Sequence, residues 1–94
     1  MALKFEWDLG NIMKSEIKHS ISVAEAESVF NDPNNVIFFD PKHSKDEYRY
    51  ICIGKSNAEQ ILFAAFTFRD VDSVRIISVR KANKKERTVY EKYR

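Results

Sequence analysis

Between Val36 and Val79 four apolar segments follow one another, separated only by short polar links. Val36–Phe39 leads into the polar loop Asp40-Pro41-Lys42-His43-Ser44-Lys45-Asp46. Arg49–Ile53 comes next and is ended by Gly54-Lys55-Ser56-Asn57. Gln60–Phe68 is the most continuous apolar run, so it reads as a central strand covered on both faces. Arg69-Asp70-Val71-Asp72-Ser73 then turns the chain into Val74–Val79. Strands joined by links this short pair antiparallel, because a parallel neighbour needs a crossover of a dozen residues or more.

The ends of the chain read as helices around that sheet. Leu3, Phe5 and Trp7 alternate with Lys4 and Glu6, the pattern of a strand buried on one face. Asp8 is placed to cap a helix over Gly10–His19, in which Ile12, Met13 and Ile17 share a stripe. Ser22-Val23-Ala24-Glu25 has the spacing of a capping box and opens a second helix, stopped near Asn31 by Asp32-Pro33. Asn83, with Glu86 three residues on, opens a last helix reaching Tyr93. The predicted order is β-α-α-β-β-β-β-α: an α+β domain over residues 1–94, with an antiparallel sheet, two N-terminal helices and a C-terminal helix. Ninety-four residues allow one domain, and 44% hydrophobic content excludes a disordered chain. The longest uncharged apolar run, about Ile61–Phe68, falls short of the ~20 residues a membrane helix needs. One cysteine, and acids where a signal peptide would be apolar, predict a cytoplasmic protein.

Charge is unevenly spread. Residues 75–94 hold eight basic and two acidic side chains, whereas residues 1–74 hold eight basic and twelve acidic ones. A basic C-terminal fifth on a weakly acidic body suits phosphate contact, or else a solvated helix whose cations complement its dipole. Only Gly10 and Gly54 exist, so there is no glycine-rich phosphate loop. His19, His43 and Cys52 lack the spacing of a metal site, and Cys52 reads as a packing residue, so neither metal nor cofactor is expected.

What remains is cationic and hydroxyl chemistry: Lys18, His19, His43, Arg49, Arg69, Arg75, Arg80, Lys81 and Tyr90. These groups suit RNA cleavage by the RNA's own 2′-hydroxyl. That reaction needs cations for the phosphorane charge and a group to move protons, and no metal or covalent nucleophile. A set of surface ion pairs is the plainer alternative. Strand parity adds a constraint. Ile76, Ser78 and Arg80 share one face and Arg75, Ile77 and Val79 the other, so Arg75 and Arg80 reach one pocket only across a bulge or past the strand end. Arg75 has Glu47 or Asp72 as its alternative partner.

Several blocks recur together. Phe5-Glu6-Trp7-Asp8 is followed by Lys18-His19, Phe30-x-Asp32-Pro33 and Asp40-x-x-His43-Ser44-x-x-Glu47-x-Arg49. Ile53-Gly54-x-Ser56 and Thr67-x-Arg69 come next, then Arg75-Ile76-Ile77-Ser78-x-Arg80-Lys81-Ala82-x-x-x-Glu86-x-x-x-Tyr90. From end to end this resembles the BrnT family of bacterial toxins. The resemblance implies a RelE-like fold and a metal-independent endoribonuclease that arrests growth, the toxin of a type II toxin–antitoxin system. It implies a BrnA-like antitoxin as partner, with operator DNA reached only through that antitoxin, and no membrane. By the same resemblance Arg80, Arg69 and His43 are the leading catalytic residues, which requires Arg69 and Arg80 to border one hollow. Lys18, His19, Arg75, Lys81, Lys84, Lys85 and Tyr90 are expected to contact RNA. The alternatives are loop-ordering for His43-Ser44, helix closure for Lys18-His19 and ring packing for Tyr90. The chain departs from the family pattern at Ser20, where Gly is common, at Asn11 and Ser15, at Gln60, where Arg is common, and at Phe68, where Glu is frequent. Phe68 either weakens activity or stacks on a base of unpaired RNA. The rival readings are a catalytically degenerate module that binds an antitoxin or nucleic acid without cleaving, and an architectural DNA binder.

Overall fold

The computed structural model describes residues 3–8, 10 and 20–93. Its strands are β1 (Lys4–Trp7), β2 (Val36–Phe39), β3 (Tyr50–Lys55), β4 (Ile61–Asp70) and β5 (Ser73–Lys81). Its helices are α1 (Val23–Ser28) and α2 (Lys84–Lys92), with 3-10 turns at Val29–Asn31 and Pro41–His43. The five strands form one sheet in the order β1-β5-β4-β3-β2, so the apolar run of β4 does lie at the centre.

The sheet is mixed, which corrects the expected antiparallel one. β2 through β5 pair antiparallel, but β1 runs parallel to β5, with Lys4 opposite Ser73 and Trp7 opposite Ile76. Short links dictate direction only between consecutive strands. β1 and β5 are joined through nearly the whole chain, so hairpin geometry leaves their direction open. The two N-terminal helices are corrected as well: α1 is the N-terminal helix among the described elements. The helix expected over Gly10–His19 lies outside the described residues apart from Gly10, whose N–H donates to Asp8 Oδ1 at 2.8 Å.

Local chemistry explains the remaining boundaries. Ser22 Oγ accepts the Glu25 N–H at 3.0 Å and starts α1. The Glu25 carboxylate does not return to complete the box. It is buried and accepts from Ser56 Oγ at 2.7 Å and Gln60 Nε2 at 2.9 Å, so Gln60 is a packing partner in this fold. Ser20 has φ 54°, the left-handed region that glycine occupies without cost. Gly54 lets the Val29–Asn31 turn sit directly on β3, since a Cβ there would stand 2.9 Å from the Val29 carbonyl oxygen. α2 opens with a complete capping box between Asn83 and Glu86.

Each face of the sheet carries its own apolar cluster. Ile21, Ala26 and Val29 pack on Cys52, Leu62, Ala64, Phe66, Val74, Ile76 and Val79. Cys52 is wholly buried there, and burial first, then the charge of Asp32, pushes its thiol up to about 12. On the opposite face Tyr90 and Val89 of α2 join a cluster with Ile51, Ile53, Ile61, Phe63 and Ala65, the last three only partly buried. The Tyr90 hydroxyl reaches Asp32 Oδ2 at 2.7 Å, an oxygen that also accepts the Lys55 N–H at 2.8 Å. Burial raises the pKa of Asp32, but the donors Lys55, Tyr90 and Asn34 outweigh it and hold the carboxyl below its usual range.

β5 contains a bulge. Ala65 pairs with Ser78 and Phe66 with Ile76, leaving Ile77 inserted. Val74, Ile76 and Val79 therefore stay on the α1 face, while Arg75, Ser78 and Arg80 all turn to the α2 face.

Two outcomes follow from these contacts. Tyr90→Phe should lower unfolding free energy by about 1–2 kcal/mol at pH 7 in urea titrations. Because Asp32 titrates below its ordinary 3.8 in the fold, its stabilisation is present above that pH and is lost as pH falls through the folded value. The gap between wild type and Tyr90→Phe should thus narrow below pH 3.8. Ser20→Gly should raise stability by a few tenths to about 1 kcal/mol, relief of the left-handed backbone being partly offset by a more flexible unfolded chain.

Candidate functional site

The bulged β5 leaves part of the α2 face uncovered. A hollow of about 260 Å³ opens there, floored by Ile51, Phe63, Ala65 and Ile77 and rimmed by Asp40, His43, Arg49, Ser78 and Arg80. His43 closes the Pro41–His43 turn, and its Nδ1 lies 2.8 Å from Asp40 Oδ2. An Nδ1–H donating to that carboxylate leaves Nε2 as the acceptor, the arrangement of an oriented general base. Ser44 holds the turn in place: its hydroxyl donates to the Asp40 carbonyl at 2.6 Å and accepts the Arg49 N–H at 2.9 Å.

Arg49 stands across from His43. Its Nε–H is buried and meets no acceptor among the described residues. Orphaned buried donors are rare in proteins, and it is the rest of the guanidinium, with the side chain 35% exposed, that is open to a ligand. Its Nη2 lies 3.5 Å from Glu47 Oε1. Arg75 donates to the same oxygen at 2.6 Å, the partner its sequence position suggested. Arg75 first, by hydrogen bond, and the charges of Arg75, Arg49 and Arg69 hold the Glu47 carboxyl below its usual range against a smaller effect of burial.

Arg80 is fixed at the other rim. Its Nη1 and Nη2 donate to the two oxygens of Glu86 at 2.7 and 2.8 Å, and its guanidinium lies 4.1 Å from the centre of the Phe63 ring. Glu86 also accepts the Asn83 N–H, so one carboxylate starts α2 and aims Arg80. That hydrogen bond raises the pKa of Arg80, and the same pairing lowers that of Glu86.

The structure divides the remaining sequence candidates. Arg69 does not share the hollow of Arg80. It lines a separate one of about 290 Å³ with Glu47, Tyr48, Tyr50, Thr67 and Phe68, and lies 3.5 Å from Glu6. Phe63 is the β4 partner of Arg80, so Arg69 sits about 20 Å further along β4 at the rise of an extended strand. Tyr90 is 1% exposed, and its buried ring has no face to offer RNA; here the packing role holds. Lys81, Lys84 and Lys85 are exposed, at the end of β5 and in the first turn of α2, and none of them lines the hollow. Cations at a helix N-terminus oppose the dipole instead of complementing it, so their gain must come from another charge. Lys18 and His19 lie outside the described residues. Arg49 is the residue sequence reasoning counted among the cations without assigning it a role. The signal was available in β-strand parity, which puts Arg49 on one face with Ile51 and Ile53.

One hollow of this domain thus brings together a histidine paired with a carboxylate, two arginines and an apolar floor. Residues 7–86 match the family described as "Ribonuclease toxin, BrnT, of type II toxin-antitoxin system". The chain belongs to that family of ribonuclease toxins. Its structure is similar to that of the Brucella abortus ribonuclease toxin BrnT, with a TM-score of 0.64, 22% identity, and coverage of 88% of this chain and 100% of the other; at that identity the likeness speaks for the fold. No curated protein sequence matches significantly. Among the described residues no helix is long and apolar enough to cross a membrane.

The Arg80–Glu86 pair can be tested alone. Glu86→Gln should cost about 1 kcal/mol at pH 7, a figure kept low by the 40% exposure of the Arg80 side chain. Glu86 titrates below its ordinary 4.5 when folded, so its contribution is present above that value and lost as pH falls through the folded one. Thermal melts of the two proteins should converge below pH 4.5.

Proposed function

We propose that this toxin cuts RNA without a metal, in the hollow between His43 and Arg80. The observation that carries the reading is the grouping of the Asp40–His43 pair, Arg49 and Arg80 around one cavity. The scissile phosphate sits between Arg49 and Arg80, whose N–H groups neutralise charge as the phosphorane forms. His43 Nε2 accepts the proton of the 2′-hydroxyl while the 2′-oxygen bonds to phosphorus. The bond to the 5′-oxygen breaks, that oxygen takes a proton from water, and a 2′,3′-cyclic phosphate remains. Asp40 keeps the imidazole in the accepting tautomer. Lys81, Lys84 and Lys85 draw the polyanion toward the hollow, and Arg69 and Arg75 contact its backbone further along. The partner is a BrnA-like antitoxin that neutralises the protein in the cytoplasm and carries the complex to operator DNA.

The test is digestion of an oligoribonucleotide by the purified protein in EDTA. Cleavage is expected to persist, and to stop when the nucleotide 5′ of the cut carries a 2′-deoxyribose. Arg49→Ala and Arg80→Ala should each lower kcat/KM by about 10²–10³. His43→Gln should lower it by about 10²–10⁴. Each variant is checked by thermal melting. Cleavage abolished by chelation, or undiminished in all three folded variants, would remove this reading. RNA binding without cleavage by the wild type would support the degenerate module instead.

A further inference from the structure

The end of β4 carries a second feature that the cleavage hollow does not use. The β3–β4 pairing ends at Tyr50 opposite Phe66, yet β4 continues to Asp70. The loop before β3 crosses this overhang, tied down by Thr67 Oγ1 donating to the Tyr48 carbonyl at 2.7 Å. The notch of about 290 Å³ formed there presents two aromatic side chains to solvent, Phe68 at 50% and Tyr48 at 71% exposure. The Phe68 ring is held without being covered: it meets Tyr50 at 5.1 Å and Phe66 at 5.3 Å, both edge-on.

Charge accompanies the aromatic surface. Three guanidiniums, Arg49, Arg69 and Arg75, face two carboxylates, Glu6 and Glu47. The notch lies at the sheet edge: the Phe68 ring stands against Phe66 and Tyr50 of the α1 face, and Glu47 leads toward the hollows of the opposite face. Glu47 borders both the notch and a middle hollow of about 390 Å³ containing Lys42 and Lys45, and that middle hollow shares His43 and Arg49 with the one beside Arg80.

We infer that this notch is a second RNA subsite, in which an unpaired base stacks on Phe68 while Arg69 contacts its phosphate. The inference rests on the RNA-cleaving reading, and it places a flanking nucleotide a few positions from the scissile phosphate. Base–aromatic stacking needs an exposed, immobilised ring and tolerates any base, and an adjacent surplus of cations supplies the backbone contact. A purely apolar docking partner would gain nothing from that surplus, which is why RNA is the occupant.

The probe is a fluorescein-labelled 2′-O-methyl oligouridine, which binds without being cut, read by anisotropy. Phe68→Ala should weaken binding about five- to tenfold, and Phe68→Trp should bind within about twofold of wild type. Arg69→Ala should lower the slope of log affinity against log salt by about 0.7, the value for one phosphate on a single strand. A folded Phe68→Ala protein that binds the probe as tightly as wild type overturns the inference. So does a Phe68→Trp protein as weak as Phe68→Ala. RNA affinity unchanged while neutralisation by the antitoxin weakens assigns the patch to protein and equally overturns it. Because the probe is uncut, failure of the catalytic reading appears separately, as cleavage unaffected by Arg49→Ala, Arg80→Ala and His43→Gln.

Discussion

A five-stranded sheet has two apolar faces to cover, and on the second of them α2 is the described helix. α2 has nine residues, about 13.5 Å of helix, whereas β4 alone extends over about 33 Å. The helix seals Ile53 and Ile61 and leaves Phe63, Ala65 and Ile77 at the floor of an open hollow. Apolar floor and polar rim then separate by geometry. Side chains at the uncovered border must be soluble, and here they are His43, Arg49, Ser78 and Arg80. The position of α2 is itself fixed by few contacts, chiefly Tyr90 on Asp32 and the Glu86 carboxylate at its start.

The arginines differ in what holds them. Arg80 is gripped by two oxygens and an aromatic ring, so its direction is set before any ligand arrives. Arg49 is gripped loosely and keeps a buried N–H unsatisfied. An unsatisfied buried donor costs about 1–3 kcal/mol. Preorganised cations of this kind favour charge that develops during reaction, since little reorientation is needed. Arg69 pairs with Glu6 and Arg75 with Glu47, further along the sheet from the hollow.

Much of this was legible in the residues. The Asn83–Glu86 spacing gave a complete capping box, the apolar run of β4 gave the central strand, and Arg75 found Glu47. The first two depend on neighbours close in sequence or on a simple periodicity, and the third on opposite charges that meet across 28 residues. The failures share a different cause. The parallel β1–β5 pairing joins the two ends of the chain, and no local pattern encodes strand direction across such a span. Gln60 looked like a lost functional charge, yet its amide serves the buried Glu25 carboxylate, 35 residues away in sequence. For Tyr90 both RNA contact and ring packing were open, because helical spacing says nothing of which sheet face receives the helix; burial decides for packing.

By itself the sequence determined the five strands, the helices opened by Ser22 and Asn83, and the family to which their order of motifs belongs. The tertiary structure decided which cations meet. Strand parity alone separates Arg75 from Arg80, and only the inserted Ile77 rotates Ser78 and Arg80 onto the face that α2 leaves open. A bulge is a single-residue mismatch between paired strands, so it exists only once both strands and their register exist. The same pairing puts Arg69 far along β4 from Arg80 and brings Arg49 into its place beside the hollow.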